Sequence, residues 1–225
     1  MTQAKIWIKY IVLIGVLFVM PISLVLLFGC GSVGHFYTLP YFDPNPEYAP
    51  TYSYTPPVDS LVDHTRFHSL PPFNLQSHKA LNFTNDSLKD GLWMVGFFSL
   101  NSPYAKKATE QLLWINYQYR DEESVKILCL SLDTNNDTIE ATSLYVEQNV
   151  KYNSFDDKWY YLSGNQDDIY DLIKEGFLIH DTANIATMCL LDEHGHIRGR
   201  YNASFKEDIK RAIEDIALLK KEMDS

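Results

Sequence analysis

A three-layer α/β domain behind an N-terminal transmembrane helix is the architecture this 225-residue sequence predicts. Three observations carry that expectation. Tyr10 to Phe28 contains no charged residue and is long enough to cross a hydrocarbon layer as a helix. From His68 onward, short apolar runs rich in β-formers alternate with segments of helical periodicity. The last of these segments places Ile209, Ala212, Ile213, Ile216 and Leu219 on one face, as a terminal helix closing one side of a sheet requires.

Lys5 and Lys9 precede the apolar stretch, so its start stays in the cytoplasm and the rest of the chain lies on the extracytoplasmic, periplasmic side. Pro21 kinks such a helix without forbidding it. A competing reading takes Leu27-Phe28-Gly29-Cys30 as a lipoprotein processing site with Cys30 acylated. Residues 1–30 are therefore an anchor or a lipoprotein signal, and both tether the chain outside the cytoplasm. Residues 31–67 contain Pro40, Pro44, Pro46, Pro50, Pro56 and Pro57 among many tyrosines and read as an extended spacer. Its aromatics can dock on a partner or on the domain that follows, residues 68–225.

Within that domain, Leu92-Trp93-Met94-Val95-Gly96-Phe97-Phe98 is a buried strand, and a helix is expected from Pro103 to about Tyr119. Ser102 suits its cap and Pro103 its first position, where a missing N–H costs nothing. Val125 to Asp133 is the second core strand. Asp137 stands three residues before Glu140 in a capping-box-like arrangement that opens a helix through about Val150. Trp159 to Leu162 is the third strand, and Asn165 caps a short helix containing Ile169, Leu172 and Ile173. Ile185 to Leu191 and Ile197 to Tyr201 form a hairpin across the turn Asp192-Glu193-His194-Gly195. Ser204 and Glu207 form a second capping box before the terminal helix.

Charge and cysteine content exclude several functions. Beyond Lys9 the chain keeps 17 of its 19 basic groups against 29 acidic ones, a surface that repels nucleic acid and anionic lipid. Three widely separated cysteines, Cys30, Cys129 and Cys189, make neither a disulfide framework nor a C-x-x-C site. Cys129 and Cys189 lie in apolar strands, where buried, inert thiols are expected. No Gly-rich phosphate loop is present, and Ser102 has no adjacent base to activate it as a nucleophile.

The order of elements and several strings resemble the SCO/SenC family, thioredoxin-like proteins associated with copper delivery to cytochrome c oxidase. The strings are His68-Ser69-Leu70-Pro71-Pro72-Phe73, Phe97-Phe98-Ser99, Ser131-Leu132-Asp133 with Asp137-Thr138, Trp159 to Gly164, and Leu190 to Gly199. The resemblance implies a thioredoxin-like α/β/α domain over roughly Phe67 to the C-terminus. It also implies a site of two cysteines, three residues between them, on the turn after the first core strand, and a histidine before the strand that runs into Asp192. Aligned without gaps, those places fall on Asn101, Ala105 and Asn184; shifted by one to match the proline, the first two fall on Ser102 and Lys106. Sulfur is absent in either register, and copper(I) selects soft thiolates.

The expected function is therefore that of a membrane-tethered accessory or assembly factor linked to cytochrome c oxidase biogenesis, whose partner is a respiratory-complex assembly protein or oxidase subunit. No catalytic residue and no cofactor are expected. Copper remains an alternative, through His180 four residues before Asn184 or through other ligands. A thiol oxidoreductase using Cys129 or Cys189 is the third. His64 and His68 have i, i+4 spacing but sit in a stretch that Pro71 and Pro72 make extended. His194 and His196 are expected as exposed turn histidines that need no metal.

Overall fold

The computed structural model describes residues 7, 9, 38–42, 67–89, 91–150, 156–180 and 186–223, the side chains of 103–106 and 156 excepted. The apolar stretch from Tyr10 to Phe28, Cys30, His64 and Asn184 lie outside the described residues. Among the described residues no helix is long and apolar enough to cross a membrane. Met1–Phe36 and Tyr37–Ser225 are separate compact units; in the first only Trp7 and Lys9 are described, both helical.

In the second unit the chain runs β1 (Asn74–Ser77), β2 (Asn82–Thr84), β3 (Leu92–Phe98), α1 (Pro103–Gln118), β4 (Val125–Ser131), α2 (Ile139–Asn149), β5 (Trp159–Ser163), α3 (Gln166–Asp171), β6 (Thr187–Leu191), β7 (Ile197–Asn202) and α4 (Lys206–Met223). The seven strands form one mixed sheet in the order β2-β1-β5-β4-β3-β6-β7. β3 lies parallel to β4 and antiparallel to β6, and β4 lies parallel to β5. All seven β3 residues are buried. Leu92, Met94 and Phe98 join an apolar layer with Leu112 and Ile115 of α1, Val146 of α2 and Ile209, Ile216 and Leu219 of α4. Trp93, Val95 and Phe97 join the opposite layer, with Ile169 of α3, Leu172, Ile173 and Phe177. Burying each large apolar side chain contributes about 1.5–3 kcal/mol, so neither face can be left open. Gly96 fits because a β-carbon there would stand 2.8 Å from Leu112 Cδ1; α1 packs that closely.

Several boundaries differ from expectation. The first hairpin, β1–β2, is not legible in the sequence because Leu75 and Phe83 are its only buried apolar residues, in short, amide-rich strands. The second core strand ends at Ser131 and not Asp133. The α2 cap is Thr138, whose side chain accepts from the Ala141 N–H at 3.2 Å. Asp137 is buried instead. At the start of α4 it is Asp208, not Glu207, whose carboxylate reaches back to the Asn202 N–H, at 2.7 Å. Asn165 does cap α3, accepting from Asp167 at 2.8 Å. That helix continues through a wide π turn, Leu172–Gly176. Its last carbonyls are met by His68 Nε2, donating to Gly176 at 2.8 Å, and by Arg200, donating to Phe177 at 2.6 Å.

Two spacer aromatics dock on the domain itself. The Phe42 N–H donates to the Ile197 carbonyl at 2.9 Å, and Tyr41 stacks on Phe67 with the Arg198 guanidinium 4.0 Å from its ring centre. Arg198 is buried and donates to Asp192 at 3.2 Å, to Glu222 at 2.7 Å and to the Leu39 carbonyl at 2.8 Å. Glu222 also accepts the Leu39 N–H at 2.6 Å. Burial alone would raise the Asp192 carboxyl, but hydrogen bonds and charge from His196 and Arg198 hold it below its ordinary value. Burial pushes Glu222 up, partly offset by Arg198. Removing one partner from such a network leaves a buried charge unanswered. Glu222→Ala is expected to destabilise the fold by about 2–4 kcal/mol and to open residues 38–42 to protease; urea denaturation and limited proteolysis measure both, and unchanged profiles would show that the network does not hold this segment.

Candidate functional site at the β3–α1 turn

The carboxyl ends of the parallel strands β3, β4 and β5 share one edge of the sheet, the edge where open α/β sheets place their sites. Three connections leave it: Ser99–Ser102 into α1, Leu132–Thr138 into α2, and Gly164–Asn165 into α3. β6 begins beside it too, since Met188 pairs with Gly96.

Pro103 opens α1 as expected, directly after Ser102, and the Ser102 N–H donates to the Ser99 carbonyl at 2.9 Å to tighten the turn. What fixes the turn to the sheet is Asp137. Its Oδ1 accepts the Leu100 N–H at 3.0 Å and its Oδ2 accepts the Ser131 hydroxyl at 2.7 Å. The Leu132 N–H donates to the Phe98 carbonyl at 2.7 Å, closing the same junction from the backbone. Burial raises the Asp137 carboxyl above its ordinary value, with the two hydrogen bonds opposing and Asp133 adding to the rise. The Asp133-Asn136-Asp137 pattern in the sequence carries this signal, but its spacing to Glu140 equally fits a helix cap.

Asn101 is exposed on the turn, and the Ala105 backbone lies in the first turn of α1. His180 is exposed just after the buried Ile179, at the end of the described stretch. An amide, a methyl group and an imidazole supply no soft donor, so these positions do not fit copper(I). An open polar cleft of about 520 Å³ lies alongside, lined by Gln76, Asn82, Thr134, Thr138, Glu140 and Ser163, and not by Asn101 or His180.

Neither Cys129 nor Cys189 reaches the turn. Cys129 pairs with Gly96 and Cys189 with Val95, on the strands flanking β3, and both are fully buried. Burial pushes each thiol up to about 12, with the charge of Arg200 near Cys189 opposing the rise there. A nucleophilic thiolate is thereby suppressed at both.

Fold and edge together define a thioredoxin-like α/β protein. Solved structures carry the comparison further. BsSco, a member of the Sco family of cytochrome c oxidase assembly proteins in which a disulfide switch has been identified, superposes with a TM-score of 0.58 at 19% identity, over 67% of this chain and 92% of that one. Yeast Sco1 with copper bound gives 0.55 at 19%, over 68% and 92%. A thiol:disulfide interchange protein from Bacteroides sp. gives 0.50 at 18%, over 65% and 86%. No protein-family model matches the chain. No curated protein matches it either. The SCO/SenC resemblance read from the sequence strings is thus met by Sco structures of the same fold.

Two outcomes follow from this geometry. Asp137→Ala orphans the Leu100 N–H and is expected to cost about 1–3 kcal/mol, whereas Asp137→Asn keeps that bond and costs less. Because the folded carboxyl binds its proton more tightly than the unfolded one, wild-type stability falls relative to the Asn variant as pH rises from about 4 through the folded value, then levels; denaturation from pH 4 to 7 tests the sign. Cys129 and Cys189 should resist alkylation until denaturant unfolds the chain, and prompt labelling of either in the native state would reverse the assignment of inert thiols.

Proposed function

We propose that this chain is a Sco-like accessory or assembly factor, tethered to the membrane on its extracytoplasmic side, that assists cytochrome c oxidase biogenesis without a cysteine-based copper or redox centre. On this reading it is a binding protein whose partner is a respiratory-complex assembly protein or oxidase subunit, and not an enzyme. The observation that carries it is the pairing of a Sco-type scaffold with a β3–α1 turn that offers Asn101 and Ala105 where the family pattern has thiols. The fold supplies a helix N-terminus able to stabilise a thiolate, yet the sequence puts no sulfur there. Tethering is supported by Tyr10–Phe28 behind Lys5 and Lys9, with Cys30 as an acylation site in the alternative form.

Copper handling through His180 is the second reading, favoured by the exposure of that imidazole beside the segment leading to β6. One titration separates the two. Against a competing copper(I) chelator, the wild-type chain is expected to take up no stoichiometric metal, and the double variant Asn101→Cys plus Ala105→Cys to gain at least about a hundredfold in affinity. Tight wild-type binding that disappears in His180→Ala would replace the first reading with the second.

A further inference from the structure

At the opposite end of the sheet, the β6–β7 turn gathers Asp192, His194 and His196. Leu191 pairs with Trp93 near the start of β3, so this turn is remote from Asn101 and independent of the proposed function. One ligand atom from each of the three residues lies within 4.8 Å of the others. His196 departs from expectation: it is buried, 2% exposed, while His194 is exposed as expected. Gly195, at φ +77°, turns the chain so that the two rings stack with centres 5.7 Å apart.

The turn is built in advance. Asp192 Oδ1 accepts the backbone N–H of His194 at 3.0 Å and of His196 at 2.9 Å, and the Gly195 N–H donates to the Asp192 carbonyl at 3.0 Å. Asp192 Oδ2 and His196 Nδ1 stand 3.2 Å apart, the spacing of two donors that share one ion at about 2.0–2.2 Å. Asp192 lies in a largely buried cluster with Arg198, Glu222 and His196, so its carboxylate is already held in place for a ligand. Arg198 keeps Glu222 and the Leu39 carbonyl if its 3.2 Å contact with Asp192 loosens.

We propose that Asp192, His194 and His196 form a binding site for a zinc-class divalent cation. Asp192 Oδ2 and His196 Nδ1 take the ion in place of their hydrogen-bonding proton, which leaves Nδ1 for Nε2 or for solvent, and the exposed His194 closes onto it. Two imidazoles and a carboxylate suit borderline ions such as Zn²⁺ and lack the thiolates that hold copper(I). Because Tyr41 lies edge-on to His196 at 5.4 Å, an occupied site also stiffens the ground on which residues 38–42 rest.

Calorimetric titration of the purified full-length chain with Zn²⁺ tests the site. One ion per chain is expected, with affinity at least about tenfold weaker in His194→Ala and unchanged in His180→Ala. Zn²⁺ should raise the thermal midpoint of the wild type more than that of His194→Ala at the same concentration, an exposed position whose substitution leaves the fold intact. No saturable uptake, uptake unaltered in His194→Ala, or loss in His180→Ala instead would each overturn the site. None of these results bears on copper(I) at the β3–α1 turn.

Discussion

A strand with no exposed face governs this structure. Leu92–Phe98 carries Trp93, Met94, Phe97 and Phe98 in succession, and a pleated strand must send such residues to both sides. One helix layer would leave half of them in water, so helices or hairpins must cover both faces. The two layers on either side of β3 are the consequence, and so is the tight approach of α1 over Gly96. A strand flanked in this way can release its chain only at its carboxyl end, into a turn that leads straight to α1. The position of that turn is thus a result of core packing, whatever residues it carries.

Asp137 shows how packing and the sheet edge are joined. A buried carboxylate costs free energy unless hydrogen bonds answer it, and here Leu100 and Ser131 do so from two adjacent strand ends. The same bonds hold the turn at a fixed height over the sheet. At the other end, Asp192, Arg198 and Glu222 perform a comparable task for residues 38–42. Both devices fix position with buried polar groups, and removing one partner from either leaves a buried group unanswered.

The core strands, the main helices and the β6–β7 hairpin were legible because each repeats a period of 2 or 3.6 over enough residues to be seen. The β1–β2 hairpin was not: three- and four-residue strands of Asn, Gln and Thr around Leu75 and Phe83 give no such signal. Caps were half legible. Asn165 behaves as its type suggests, but Asp137 and Thr138 both satisfy cap chemistry, and only the burial of Asp137 beneath Leu100 decides between them. At the site, the absence of sulfur from the turn is plain in the sequence alone. That His196 is buried was hidden, because its cover comes from Tyr41 and Phe67, far earlier in the chain.

Thiol chemistry in a fold of this kind depends on where sulfur sits far more than on how much is present. At a helix N-terminus the backbone dipoles favour thiolate, and solvent reaches it. In the middle of a sheet the same group loses its hydration, which is why burial pushes Cys129 and Cys189 up to about 12. Arg200 beside Cys189 works against that rise without cancelling it. A cysteine in mid-strand, as on β4 or β6, therefore differs in chemistry from one at the turn after β3. A scaffold can keep every packing contact while its turn carries a reactive centre or only polar surface, and here the turn, pinned at Leu100 by Asp137, carries the exposed Asn101.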